Sequence, residues 1–279
     1  MTVVLPENSY GVRKRFDWVS DIIIRHGPIR VLDVGCGTGA LLTFPLAARF
    51  PQIEFFGIDV DRPSVEFART HHRAPNLTFA HVKDAPDVLF DLIVASEVIE
   101  HVEHPHEFLL SLTKKMSDQA KILVTVPNGH GPFEIMSLIE DALYVSGLLR
   151  FLRWLKRKAG LGVPRESLSD RDTLAVDPHI NFFSFAGVRR LMAGAGLRLL
   201  QYRPRTFLCG FVLDYLLRGE RLLTWNARIA DALPPFMNSA WMFLVERQSA
   251  PTAWDDPPSV YARLHRYLNL KRWGLAATR

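Results

Sequence analysis

A regular alternation in the first half of this chain constrains its fold more than any other feature. Short apolar runs of strand length are separated by segments in which apolar residues recur with helical spacing. The apolar runs are Arg30–Val34, Ile53–Ile58, Leu77–Val82, Phe90–Ala95 and Lys121–Val126. The helical segments are Ala40–Phe50, Pro63–His72 and Pro105–Met116. Because unbroken apolar runs are typical of strands buried on both faces, the pattern predicts a doubly wound α/β fold with a mostly parallel sheet.

The second half of the chain interrupts this alternation twice. A long helical and basic segment lies within 128–177, and a second helical segment spans about 207–238. Between and after them, Leu197–Arg203 and Trp241–Arg247 have the composition of further strands. We therefore interpret the two irregular segments as helical insertions over the edge of the sheet where ligands bind.

Composition indicates an ordinary globular protein, since 48% of the 279 residues are hydrophobic and 23% are charged. We expect one domain over 1–248, which includes both insertions, and a C-terminal extension over 249–279. The cysteines, Cys36 and Cys209, provide no disulfide framework. The N-terminus lacks the apolar core of a signal peptide, and no uncharged apolar run reaches the roughly 18 residues of a membrane span. These features predict a cytoplasmic protein.

The stretch "VLDVGCGTGALL" contains glycines at alternate positions, namely Gly35, Gly37 and Gly39. These glycines follow the first predicted strand and open a helix, where the free N–H groups and an approachable backbone favour a bound ligand. Asp59 ends the second strand, and its carboxylate can accept both hydroxyl groups of a ribose. Asp84 follows the third strand and can accept from an adenine amino group. Together these residues predict a nucleoside site.

The spacing G-x-G-x-G differs from the dinucleotide fingerprint G-x-G-x-x-G. Asp33 lies two residues before the first glycine. With this residue and the glycine spacing, the chain resembles the class I S-adenosylmethionine-dependent methyltransferases. The matching motifs are "VLDVGCGTG", "GIDVD", "FDLIVASEVIEHV", "KILVTVPN" and "HINFFSFAGVRRLMAGAGL", which cover roughly Arg30–Arg203. The resemblance implies a Rossmann-like sheet with an antiparallel last strand, and S-adenosyl-L-methionine as cofactor. Its pattern is most similar to that of small-molecule and ubiquinone-precursor O-methyltransferases.

The same resemblance implies which residues surround the cofactor. Asp33 and the backbone of the glycine turn would hold its methionine part, and Asp59 would hold its ribose. Val60 would pack on the adenine ring, and Asp84 would accept from the adenine amino group. The complete set of expected cofactor-binding residues is Asp33, Gly35, Cys36, Gly37, Thr38, Gly39, Asp59, Val60, Asp84 and Ala85.

The candidate catalytic residues are His101 and His179. Methyl transfer from a sulfonium requires alignment and exclusion of water, and an oxygen acceptor also gains from a general base. His101 lies where many small-molecule O-methyltransferases of this broad family carry a histidine. His179 precedes the aromatic block "INFFSF", where it could face the acceptor or be a satisfied buried histidine.

The stretch "EVIEH" suggests an alternative. If it is helical, Glu97, Glu100 and His101 lie on one face and could bind magnesium or manganese. That spelling resembles the small-RNA 3′-terminal 2′-O-methyltransferases. Their downstream block carries further histidines and an acidic residue, whereas "DPHINFFSF" offers one histidine. We therefore predict no metal, and keep a metal-assisted RNA 2′-O-methyltransferase and a non-catalytic nucleoside-binding protein as alternatives.

The segment Leu138–Lys158 mixes leucines and aromatic residues with cationic ones. The cations are Arg150, Arg153, Lys156, Arg157 and Lys158. We interpret the segment as a lid over the cleft, and it could also touch an anionic membrane with Trp154 at the interface. The expected acceptor is therefore a small or lipid-like molecule. Peripheral contact with the inner membrane surface through 138–158 remains compatible with this interpretation, and nucleic acid is not favoured as a partner.

Overall fold

The computed structural model describes residues 11–148, 151, 154, 174, 178–208, 219–248, 250–254 and 257–275. The strands are β1 (Arg30–Val34), β2 (Glu54–Asp59), β3 (Leu77–His81), β4 (Phe90–Ser96), β5 (Met116–Pro127), β6 (Leu197–Pro204) and β7 (Ala240–Arg247). The α-helices are α1 (Val12–His26), α2 (Thr43–Arg49), α3 (Arg62–His71), α4 (Pro105–Lys114), α5 (Pro132–Val145), α6 (Phe185–Gly194), α7 (Glu220–Ile229) and α8 (Val260–Arg272).

Within these residues, the strands form a 7-stranded sheet in the order β3-β2-β1-β4-β5-β7-β6. Strands β1 to β5 pair in parallel with one another. Strand β7 lies antiparallel between β5 and β6. The predicted doubly wound sheet with an antiparallel last strand is therefore confirmed, and the carboxyl ends of the parallel strands meet at one edge.

Some predicted boundaries were wrong. Strand β5 begins at Met116 rather than Lys121, because Met116 already pairs with Phe90 beyond a register shift. The predicted helix over Pro105–Met116 consequently ends at Lys114. The helix expected from Ala40 begins at Thr43, since the residues before it form a turn.

The sheet is covered on both faces by apolar side chains. On one face, Phe16 and Ile22 of α1 pack with Leu92 of β4. On the other face, α4 and α6 cover Ile93 of β4 and Phe243 of β7. Because neighbouring residues of a strand point to opposite faces, consecutive apolar residues such as Leu92 and Ile93 serve both cores. This double burial holds the strand ends in fixed positions at the site.

The insertions are described in part. Helix α5 belongs to the first insertion, and α8 of the C-terminal extension packs against it. Beyond α5, the rings of Phe151 and Trp154 stack at 5.9 Å between centroids. The basic residues expected on a membrane-facing helix lie outside the described residues, as does Cys209: they are Arg150, Arg153, Lys156, Arg157 and Lys158. Among the helices that the structure describes, none has the length and apolar character to cross a bilayer.

We expect Phe243→Ala to lower the free energy of unfolding by about 3–5 kcal/mol. Phe243 is fully buried and packs against the rings of Phe185 and Tyr202, so its loss leaves a cavity. Leu200→Ala on the neighbouring strand is the control, because Leu200 is 40% exposed and should cost under about 1 kcal/mol. Urea denaturation measures both values, and equal losses would contradict the packing described here.

Candidate functional site

The backbone conformation and the close packing of the turn after β1 require glycine at two positions. Gly35 and Gly39 have φ values of 72° and 73°, in the left-handed region that favours glycine. A Cβ on Gly35 would lie 2.4 Å from Val98 Cγ2, and one on Gly39 would lie 2.4 Å from Phe79 Cζ. Side chains are therefore excluded at both positions by conformation and by close packing.

Asp59 fastens this turn to the end of β2. Its Oδ2 accepts a hydrogen bond of 2.8 Å from Gly37 N, and its Oδ1 accepts one of 2.8 Å from Asp61 N. Asp33 is buried below the turn, where it accepts from Thr43 Oγ1 at 2.6 Å. The two carboxylates thus differ: Asp59 borders the open cleft, whereas Asp33 braces the turn from inside.

A cavity of about 460 Å³ opens beside the turn, a size typical of small-molecule sites. Of the expected cofactor-binding residues, Gly35, Gly37, Asp59 and Val60 line it. The remaining ones do not line it: Asp33, Cys36, Thr38, Gly39, Asp84 and Ala85. Val60 is 72% exposed, so an apolar surface is available there to a ring.

Sequence reasoning missed several residues that line the cavity. They include Val82 after β3, Val98 after β4, and Phe108, Ser111 and Lys115 on or after α4. Val82 carried a usable signal, since it is an apolar residue directly at the end of a predicted strand. The α4 residues carried none, because only the packing of that helix brings them to the cleft.

The stretch "EVIEH" is a turn rather than a helix, so the condition under which Glu97, Glu100 and His101 would share a helical face is not met. Among the described residues, Glu97 is the non-glycine residue with a positive φ, at 57°. Its Oε1 accepts from Thr125 Oγ1 at 2.7 Å, and its Oε2 lies 2.7 Å from Arg205 Nη1. Burial raises the pKa of Glu97, but Arg205 and the Thr125 hydrogen bond outweigh burial and lower it. Such a strained residue is typical of functional sites.

Backbone hydrogen bonds join this turn to the segment that contains His179. The Glu100 carbonyl oxygen accepts from the N–H groups of Ile180 and Asn181, both at 2.9 Å. The Asn181 side chain also donates to the Val102 carbonyl oxygen at 2.7 Å. As a result, the His101 and His179 rings lie 4.9 Å apart between centroids. The structure therefore brings the two candidate catalytic histidines together.

Glu100 lies beside the two histidines. It is 1% exposed, and within the described structure neither carboxylate oxygen has a hydrogen-bond partner. Burial and the neighbouring charge of Glu97 raise the pKa of Glu100 well above its usual value. Three potential metal-ligand atoms lie within 4.8 Å of one another, one each from Glu100, His101 and His179. This donor set suits a divalent cation, and Glu97 is not part of it.

The two histidines have opposite electrostatic environments. Burial and the positive charge of His179 lower the pKa of His101 to about 4. Burial also lowers the pKa of His179, but the Glu134 carboxylate, 2.6 Å from His179 Nδ1, outweighs it and raises the value to about 9. At neutral pH, His101 is therefore neutral and His179 is charged. Sequence reasoning missed Glu134, which comes from the insertion and matches no motif.

The raised pKa of His179 predicts a pH-dependent difference in stability between the protein and its His179→Gln variant. Protonation of His179 stabilises the folded state, because its pKa is higher in the folded protein than the ordinary value of 6.5. The contribution of His179 to the free energy of unfolding is therefore complete below pH 6.5 and is lost as pH rises through about 9. Unfolding free energies measured in chelator between these limits should show the difference shrinking. Glu134→Gln should remove the same dependence, and a constant difference across this range would contradict the assignment.

Comparison with known proteins identifies the family. A family model described as "Methyltransferase domain" matches residues 12–202. Ubiquinone biosynthesis O-methyltransferases are similar over part of their length. The Bradyrhizobium diazoefficiens protein is 31% identical over 136 residues, which are 47% of this chain and 50% of that protein. The Rickettsia akari protein is 28% identical over 124 residues, which are 41% of this chain and 48% of that protein.

The chain thus spans about half the length of these curated relatives. Among solved structures, PKMT2 from Rickettsia typhi has the same fold, with a TM-score of 0.53 and 16% identity over 89% of this chain and 56% of that one. Since the family model covers more than half of the sequence and the sheet has the expected order, the chain belongs to the methyltransferase-domain family and has the class I, S-adenosylmethionine-dependent methyltransferase fold.

Proposed function

We propose that the chain transfers a methyl group from S-adenosyl-L-methionine to an oxygen atom of a small-molecule or lipid-like acceptor. One observation carries this proposal. A single cavity extends from the glycine turn and Asp59 to His101, a histidine that is neutral at physiological pH. The bound cofactor supplies an electrophilic methyl group on a sulfonium, so the protein has mainly to align the acceptor and exclude water.

The residues around the turn fit the cofactor. The Asp59 carboxylate can accept from the ribose hydroxyl groups while it holds the turn, and Val60 and Val82 offer apolar contact to the adenine. The backbone around Gly37, braced by Asp33, would hold the methionine part. The full proposed set keeps the residues expected from the sequence: Asp33, Gly35, Cys36, Gly37, Thr38, Gly39, Asp59, Val60, Asp84 and Ala85.

His101 lines the other end of the cavity, and His179 lies behind it, 4.9 Å away between ring centroids, without lining the cavity itself. The two histidines would act in different ways. His101 has a neutral ring that can accept a proton from the acceptor hydroxyl group. His179 is held as a cation by Glu134, so it favours the deprotonated form of an acceptor oxygen beside it. The low pKa of His101 makes it a weak base by itself, and the positive charge of His179 compensates by acidifying the acceptor.

An apolar acceptor is supported by the surface of the insertion. Ile135 and Ile139 are one helical turn apart on α5 and are both 47% exposed. Phe151 and Trp154 add a further exposed aromatic pair. The names of the curated relatives, ubiquinone biosynthesis O-methyltransferases, support the same class of acceptor. Peripheral membrane contact through 138–158 belongs to this proposal.

A second candidate is a metal-assisted RNA 2′-O-methyltransferase. The observation in its favour is the donor set of Glu100, His101 and His179, with a buried carboxylate that has no hydrogen-bond partner within the described structure. These residues would hold magnesium or manganese, which would polarise the acceptor hydroxyl group. This candidate requires turnover that depends on the metal and RNA affinity that falls steeply with salt.

Asp59→Ala should weaken the binding of S-adenosylhomocysteine about 100-fold, because two charge-assisted hydrogen bonds of roughly 1.5 kcal/mol each are lost. Isothermal titration calorimetry measures the dissociation constant. Glu54→Ala is the matched control, since Glu54 begins the same strand at its opposite end and forms an exposed ion pair with Arg30. Unchanged affinity in Asp59→Ala would remove the ribose assignment.

The function itself is tested by transfer of labelled methyl groups to fractionated lipids, small metabolites, saccharides and RNA, with and without a chelator. We expect label in a lipid or small-metabolite fraction regardless of chelator. His101→Ala should lower kcat about 100-fold with unchanged cofactor affinity. Chelator-sensitive label in RNA would establish the second candidate instead. Cofactor binding without label in any fraction would indicate a nucleoside-binding protein.

A further inference from the structure

The C-terminal helix α8 contacts the candidate site, although it lies beyond the part of the chain that the family model matches. Asn269 Nδ2 donates to the carbonyl oxygen of His179 at 3.1 Å. One turn earlier, His265 is fully buried and stacks on Phe182 at 3.8 Å between ring centroids. Helix α8 therefore supports the segment Ile180–Phe182 and the backbone of the catalytic candidate that precedes it.

The end of α8 is fixed to α5 by an ion-pair cluster. Arg272 Nη1 lies 2.7 Å from Asp141 Oδ1, and Arg272 Nη2 lies 2.9 Å from Glu140 Oε1. The Asp141 side chain is 0% exposed. Removing Arg272 would leave this carboxylate without its counter-charge in a buried place, so the contact between the two helices should loosen.

Helix α5 in turn carries Glu134, the carboxylate that contacts His179. Glu134 Oε1 lies 2.6 Å from His179 Nδ1, and Glu134 Oε2 lies 3.8 Å from His265 Nε2 of α8. The orientation of an imidazole ring is set by the partner of its second nitrogen. Helix α5 therefore contributes to the orientation of His179, and α8 is joined to α5 through Arg272.

We infer that α8 is a positioning element of the acceptor site, which holds His179 from two sides through Asn269 at its backbone and through Arg272, α5 and Glu134 at its ring. The matched family region alone does not complete this arrangement. Groups that support a catalytic side chain matter because a displacement of about 1 Å can cost roughly 100-fold in rate. Only the catalytic readout of this inference rests on the proposed function.

The test compares Arg272→Met with Lys271→Met in the full chain. Lys271 is the neighbouring cation, and its ammonium group contacts the hydroxyl group and the ring of Tyr267 on the same helix. The primary readout is the ¹H–¹⁵N signal of the His179 Nδ1 proton in histidine-labelled protein, assigned by its loss in His179→Gln. We expect this signal to shift or broaden in Arg272→Met and to stay in place in Lys271→Met. An unmoved signal in Arg272→Met would overturn the inference.

Two further measurements separate positioning from unfolding. The affinity for S-adenosylhomocysteine should be unchanged in Arg272→Met, because the described residues that line the cavity beside the glycine turn include none from α8. In contrast, kcat should fall about 10- to 100-fold with an identified acceptor. Asn269→Ala provides a second variant that leaves the Arg272 ion pairs intact, and it should also move the His179 signal. If Asn269→Ala is folded and its signal is unchanged, the inference fails. Absence of methyl transfer in the unaltered protein would instead reject the proposed function.

Discussion

The carbonyl oxygen of Glu100 accepts two consecutive backbone N–H groups, and the acceptor side of the site depends on this junction. It joins the turn after β4 to the segment that enters α6. Together with the bond from the Asn181 side chain to the Val102 carbonyl oxygen, it keeps His101 and His179 neighbours although they are far apart in sequence. Because main-chain groups form the junction, side-chain identity can vary around it while the two histidines stay in register.

Three carboxylates near this junction, of which Glu100 and Glu134 are buried and Glu97 is partly buried, differ mainly in their partners. Glu97 is paired with Arg205, Glu134 with His179, and Glu100 has no hydrogen-bond partner in the described structure. A buried carboxylate is stable as an anion only when it is compensated. The pKa of Glu97 is therefore lowered beside Arg205, whereas burial and the charge of Glu97 raise the pKa of Glu100, which favours its protonated form in the absence of a cation. The Glu100 carboxyl group can therefore hold a proton or bind a metal ion, and the metal-assisted candidate function requires the second state.

Local patterns predicted the fold well, and four of the expected cofactor-binding residues line the cavity beside the glycine turn, namely Gly35, Gly37, Asp59 and Val60. The alternating apolar runs, the glycine turn and Asp59 all lie within short stretches whose geometry depends on neighbouring residues. The acceptor side was less predictable, since "EVIEH" has helical spacing but adopts a turn with Glu97 at positive φ. That conformation is stabilised by Thr125 of β5 and by Arg205, which follows β6, and both are distant from the turn in sequence. Glu134 likewise became recognisable only when α5 was seen beside His179.

The ion pairs between Arg272 and the acidic residues of α5 have a consequence for protein engineering and for the divergence of such enzymes. An inserted helix is often treated as a module that can be exchanged between homologous proteins. Here α5 is joined to α8 by the ion pair between its buried Asp141 and Arg272. A chimera that receives α5 alone would contain the buried Asp141 carboxylate without its counter-charge. The two helices should therefore be exchanged together, and their sequences should change together in evolution.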